Sequence, residues 1–173
     1  MTRARIPSVR WMKHPHLQRK RVVVRVALKP LLQKIMESVT VFLEADRSTL
    51  FLHDSNNSEL WSNVAQGIGT HQIRFPDNAG IAGDVFSSGK TINIREAYKD
   101  DRFNKAIDKK TGYRTHSILC VQVKSKNGTP IGVMQVLNKK GGPFEAIDER
   151  RLKAFCAQAA IAIENAQLFE EVL

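Results

Sequence analysis

The 173-residue sequence predicts an α+β domain: a sheet built largely of hairpins, with a long helix at each end of the chain. Two observations carry this. Apolar residues recur at steps of three and four near both ends, and between them short apolar runs are punctuated by turn formers. A chain of this length suits one domain with one core. Its hydrophobic share of 42% and charged share of 25% are those of an ordinary globular protein.

From about Val22 to Ala45, residues Leu28, Leu31, Leu32, Ile35, Val39, Phe42 and Leu43 fall on one helical face. Pro30 favours a regular start near Lys29, where proline would occupy the first turn, leaving Val22–Val26 as an irregular or separate lead-in. Ser48–His53 and Leu60–Ala65 read as strands joined through the turn formers Asp54-Ser55-Asn56-Asn57. Ile73 and Phe75 mark a third short strand ended by Pro76, and Gly80–Phe86 a short helix stopped near Gly89. Thr91–Ile94 is strand-like, whereas the polar stretch 95–115 is expected to be irregular. Ser117–Val123 and Ile131–Leu137 are strong strands around Asn127-Gly128, a good hairpin signal. The last helix, about Ile147 to Val172, places Leu152, Phe155, Cys156, Ala159, Ile163, Ala166 and Phe169 on one side.

The net charge of +10 is unevenly spread: residues 1–21 hold seven basic and no acidic residues, leaving +3 on the rest. Residues 1–21 therefore read as a basic, disordered arm ahead of a domain over 22–173. The arm lacks the apolar stretch of a secretory signal, while an Arg-rich organelle transit peptide stays an alternative. With the excess charge confined there, nucleic acid is not an expected partner. No apolar run reaches the roughly 18–20 residues of a membrane span. Cys120 and Cys156 lie in apolar segments without metal-site spacing, which fits reduced core residues of a cytoplasmic protein and no bound metal.

Three segments carry a family resemblance. Asn138-Lys139, Phe144 and Asp148-Glu149 resemble the Asn-Lys…Phe…Asp-Glu signature of cyclic-nucleotide-binding GAF domains, with the gap from Lys139 to Phe144 at the short end of its range. Asn78-Ala79-Gly80-Ile81-Ala82-Gly83-Asp84-Val85 is a second match, and Phe103 through Asp108 to Thr111-Gly112-Tyr113-Arg114-Thr115 a third. Over about residues 28–172 the chain is similar to the regulatory GAF domains of phosphodiesterases and cyanobacterial-type adenylate cyclases. The resemblance implies an antiparallel sheet of about six strands, terminal helices packed on one face, and short helices and loops over a ligand pocket on the other. It also implies a regulatory domain without catalytic residues or a required cofactor. Its ligand would be cAMP or cGMP, its assembly a homodimer through the terminal helices, and its output a fused or partner effector.

Lys139 and Asp148 are read as a structural clasp between the last strand and the long helix, with Glu149 also suiting the first-turn dipole and Phe144 as a packing anchor. A nucleotide's phosphate needs donors if it leaves water. Gly80-Ile81-Ala82-Gly83 at a helix N-terminus suits that need. By the resemblance, backbone groups of Ile81 and Ala82 would meet the phosphate. Asn104, Asp108, Thr111 and Thr115 would lie on a lid facing ribose and phosphate, and Thr49 and Gln135 would approach the base edge. For Asp108 and Thr111, loop solvation and turn formation remain the alternative. Segment 95–115 is expected to act as a lid that orders over the ligand and pulls on the strand beginning near Ser117.

Three departures bear on specificity. Ala65 and Gln66 replace an aromatic–acid pair of some relatives, Asn104 stands where some have tyrosine, and Gln135 where some have glutamate. No choice between cAMP and cGMP follows. Rival functions fare less well. Thr115, not cysteine, precedes His116, which argues against a covalent bilin, and Cys120 reads as core. A free-methionine sulfoxide reductase would need exposed thiolates. No Ser-His-Asp spacing, metal cluster or Walker loop is visible, and His53, His71 and His116 are isolated. A ligand-free dimerisation or protein-interaction module is the standing alternative.

Overall fold

The computed structural model describes residues 15–65 and 72–172. Its elements are α1 (Pro15–Phe42), β1 (Ala45–Asp54), β2 (Glu59–Ala65), β3 (Arg74–Pro76), α2 (Gly80–Ser88), β4 (Ile92–Ile94), α3 (Lys105–Thr111), β5 (Ile118–Lys124), β6 (Pro130–Lys139) and α4 (Ala146–Val172), with a 3-10 turn at Ala97–Lys99. The six strands form one antiparallel sheet in the order β3-β2-β1-β6-β5-β4. The α+β class and the sheet are as the sequence predicts.

Alternation along the strands divides the core in two. Leu50, Leu119, Val121, Met134 and Val136 face one way, onto Leu32, Met36, Val39 and Leu43 of α1 and Leu152, Cys156, Ala159 and Ile163 of α4. The terminal helices therefore share one face of the sheet. They run antiparallel: near the start of α4 an Arg151 Nη1 donates to the carbonyl of Phe42, the last residue of α1. Phe51, Ile118, Cys120 and Val133 face the other way, against Ile81, Ala82, Val85 and Phe86 of α2 and Ala97 beyond it. Ser48, buried on the helix side, is satisfied by Thr40 Oγ1 at 2.8 Å and the Met36 carbonyl.

Two expectations are corrected. Helix α1 is continuous from Pro15 through Pro30, so Val22–Val26 is no separate lead-in, and residues 15–21 of the expected disordered arm are helical. Pro30 sits on the exposed side of α1, where water can satisfy the carbonyl that loses its donor. Residues 1–14 of the arm lie outside the described residues, as do Gln66 and His71. Secondly, segment 95–115 is only partly irregular: it holds the 3-10 turn and α3, with turns and loops between and after them. Asn104 caps α3 by accepting from the Ala106 amide, and Gly112 ends it in the left-handed conformation, φ 69°.

Lys139 Nζ lies 2.8 Å from Asp148 Oδ1. Asp148 is completely buried, and its second oxygen accepts from the Glu145 amide at 2.8 Å. The clasp thus joins β6 to the first turn of α4, and Lys139 also reaches the Leu43 carbonyl at the end of α1. Asp148→Ala should cost roughly 1–3 kcal/mol by stranding the partly buried ammonium. Urea denaturation measures this; an unchanged midpoint would mean the pair does not hold the helix layer.

Candidate functional site

On the face opposite the terminal helices, the sheet floor carries Arg47, Thr49 and Phe51 of β1, Ile118 of β5, and Gln135 and Leu137 of β6. The β1–β6 register sets Thr49 directly across from Gln135. Ile73 and Phe75, the N-terminus of α2, and the stretch from Arg102 to Thr115 close over this floor. The cavity, partly open to solvent, is about 170 Å³. All eight residues assigned to ligand contact from the sequence line it: Thr49, Ile81, Ala82, Asn104, Asp108, Thr111, Thr115 and Gln135.

Their polar groups are not equally available. Ala79, the N-cap of α2, is extended and supplies no side-chain cap, while the Gly83 amide closes the first turn on the Ala79 carbonyl. The amides of Gly80, Ile81 and Ala82 therefore converge at the cavity as an uncapped, positive helix end. Gly80 enters the helix with φ 66°, where a side chain would be strained, and a Cβ on Gly83 would fall 2.5 Å from the Asn78 backbone. Thr49 is only 3% exposed and lines the cavity. A hydroxyl on a largely buried side chain at a cavity wall is suited to a ligand.

The lid residues are largely committed to the lid. The buried Asp108 carboxylate accepts from the Thr115 amide at 2.7 Å, the Thr115 hydroxyl at 2.9 Å and the Tyr98 hydroxyl at 2.9 Å. Asp108 and Thr115 thus bond to each other, and any approach they make to a ligand starts from that arrangement. The Asn104 side chain is spent on the α3 cap, and the Thr111 hydroxyl donates to the Ile107 carbonyl at 2.8 Å. Tyr98 packs on Phe103, with the Arg114 guanidinium 3.6 Å from its ring centre. Burial, then the Asp108 carboxylate, raises the Tyr98 hydroxyl above the usual tyrosine range.

Several functional residues were missed in the sequence. Arg47 lines the floor and stacks over Tyr113, its guanidinium carbon 3.6 Å from the ring centre. Its position two residues before Thr49 on one strand was the available signal. Arg102 holds Asp100 through Nε and Nη2 and reaches Asp84 of α2 with Nη1 at 2.6 Å. Its guanidinium keeps Asp100 below the ordinary carboxylate range.

Asn138, in the left-handed region at φ 57°, pins the chain leaving the lid. Its carbonyl oxygen accepts from the amides of His116 and Ser117, and its NH2 donates to the Tyr113 hydroxyl and the Arg114 carbonyl. Phe144 is buried in the helix-side core, and Glu149 accepts from Asn93 on β4. None of these signature residues lines the cavity. Cys120 and Cys156 are buried, and burial pushes both thiols well up, leaving no nucleophilic thiolate.

The antiparallel sheet thus carries the terminal helices on one face and a small cavity under α2, α3 and their flanks on the other. The chain belongs to the GAF domain family, whose model matches residues 27–163. It is 35% identical over 159 residues to the "Probable 3',5'-cyclic phosphodiesterase pde-5" of Caenorhabditis elegans, covering 85% of this chain and 22% of that protein. It is also 37% identical over 161 residues to the "Dual 3',5'-cyclic-AMP and -GMP phosphodiesterase 11" of Drosophila melanogaster, covering 83% of this chain and 11% of that protein. The chain thus spans about a fifth and a tenth of these curated relatives. Among solved structures, it resembles the GAF domain of a phosphoenolpyruvate-protein phosphotransferase from Coxiella burnetii, with TM-score 0.74, 20% identity, and coverage of 91% of this chain and 95% of that one. A free methionine-R-sulfoxide reductase from Neisseria meningitidis has the same fold, with TM-score 0.70, 18% identity and coverage of 88% of both chains.

Asp108→Ala would strand three donors. It should cost about 1–3 kcal/mol and speed hydrogen exchange at the Thr115 amide; unchanged exchange there would contradict the hub. Ellman's reagent should label neither cysteine in the native protein and both after denaturation. Rapid native labelling of either would overturn the buried-thiol assignment.

Proposed function

We propose that this chain is a cyclic-nucleotide-sensing regulatory domain that passes a shift of its terminal helices to a fused or partner effector. One observation carries the reading: the Thr49 side chain, 3% exposed and opposite Gln135, shares a cavity with the uncapped amide end of α2. The amide end suits a singly charged phosphate, and Thr49 with Gln135 offers donors and acceptors to a base edge. Relatives named for cyclic-nucleotide chemistry support the same ligand class. Gln135 can present either its oxygen or its nitrogen, so cAMP and cGMP both stay eligible.

The cavity of about 170 Å³ is below the roughly 300–1,000 Å³ of small-molecule sites. Binding therefore requires α3 and its flanks to move outward and reclose, since this lid is folded in advance. Its far end, at His116 and Ser117, is held by Asn138, and the next residue, Lys139, holds both terminal helices. A lid displacement would thus reach the helix layer through two adjacent residues. The resulting shift can be no larger than the ligand's differential affinity for the two states.

Assembly of two copies through α1 and α4 is part of the proposal. Val41, Phe42, Ile161, Leu168 and Phe169 are each more than half exposed on these helices. Light scattering that shows only monomer at high concentration would count against it.

Calorimetry and thermal shift with cAMP and cGMP test the ligand. Nucleotide at 100 times its Kd should add about 2.7 kcal/mol of stability. Thr49→Ala with Gln135→Ala should weaken binding at least tenfold, roughly 1.4 kcal/mol, with little change in melting. No stabilisation by either nucleotide would leave the ligand-free dimerisation module as the function.

A further inference from the structure

Resting on the anion site just proposed, we infer that Arg102 is an exchangeable cation: its Nη1 arm leaves Asp84 for the ligand's phosphate, and the Asp84–Arg102 ion pair is the latch that holds the lid against α2. The guanidinium is anchored on its own segment, because Nε and Nη2 both bind the Asp100 carboxylate, at 2.9 and 2.7 Å. Only Nη1 crosses to α2, meeting Asp84 at 2.6 Å. That division makes the Asp100 side a pivot and Nη1 the movable arm.

The arm is placed to reach the phosphate position. Arg102 lines the cavity, and its backbone lies against Gly80, where an added Cβ would sit 3.6 Å from the Arg102 carbonyl. Asp84 follows Gly80 by four residues on the same face of α2, about 6 Å along the axis. Ile81 and Ala82 lie closer still, so transfer of Nη1 from Asp84 to a phosphate at their amides is a displacement of about 3–5 Å along the axis, less than one helical turn. A ligand is indicated independently by the Thr49 side chain, 3% exposed and lining the same cavity.

Electrostatics gives the exchange its direction. In the latched arrangement two carboxylates, Asp84 and Asp100, share one guanidinium, so the cluster repels an incoming anion. After the transfer the phosphate gains a charge-assisted bond, and Asp84 turns to water. Both latch side chains are about two-fifths exposed, and pairs of that kind contribute little to stability. The latch is cheap to open yet able to set lid position.

The test follows the Ile81 and Ala82 amide resonances and the Arg102 Nε resonance of the full chain during titration with cAMP, cGMP and, separately, inorganic phosphate. Wild type, Arg102→Gln, Asp84→Asn and the double variant are compared. Exchange requires Arg102→Gln to weaken binding at least tenfold and Asp84→Asn to tighten it at least threefold. The gain should vanish in the double variant. Equal weakening by both single variants would mean a structural strap and overturn the proposal. A gain from Asp84→Asn that persists without Arg102 would mean simple relief of repulsion, and would also overturn it. If Arg102→Gln fails to fold, Arg102→Lys substitutes for it in the same comparison. If neither nucleotide binds wild type but phosphate shows this variant pattern, the nucleotide reading fails and the exchange stands. If no probe moves the resonances, both fail.

Discussion

Asn138 and Lys139, at the end of β6, hold the two sides of the domain together. The left-handed turn at Asn138 sends its amide to the chain leaving the lid, where it meets four groups of residues 113–117. The next side chain, Lys139, goes to the helix layer, to Asp148 of α4 and the end of α1. Neither residue can be relaxed independently, because the same short piece of backbone positions both. The lid, the sheet and the terminal helices therefore have a common mechanical reference point. That point lies outside the cavity, which accounts for a binding-family signature whose residues do not line the site.

Much of this was legible because it depends on local periodicity. The family resemblance, rather than periodicity, placed Thr49 and Gln135 at the site, and glycines with small residues announced the α2 terminus. Pro30 misled: its exposed position lets α1 run through a residue that usually ends a helix. The lid misled through composition. Its polarity suggested an irregular loop, yet polar Asn104 caps α3, polar Asp108 binds Thr115, and Gly112 ends the helix through its left-handed backbone. Mutual satisfaction of Asp108 and Thr115 depends on how α3 packs beside β5, which spacing alone does not reveal. Arg102 was overlooked for a similar reason: it joins Asp100 on its own segment to Asp84, 18 residues away on α2.

The comparison with a sulfoxide reductase of the same architecture shows how little the fold constrains chemistry. Here the two thiols lie inside the packed layers, Cys120 on the cavity side of the sheet and Cys156 among the helices. Burial raises both. The cavity is walled mostly by apolar side chains, with a few hydroxyl, amide, carboxylate and guanidinium groups among them.

The antiparallel course of α1 and α4 has a consequence for how such a domain works in tandem. The chain approaches the sheet along one helix and departs along its neighbour, so both connections emerge at the same end. The sheet lies along the side of that pair, with the cavity on its far face. Under the proposed function, a displacement of the sheet would act on two adjoining rods as a relative slide or twist, which any sequence continuing either helix would inherit.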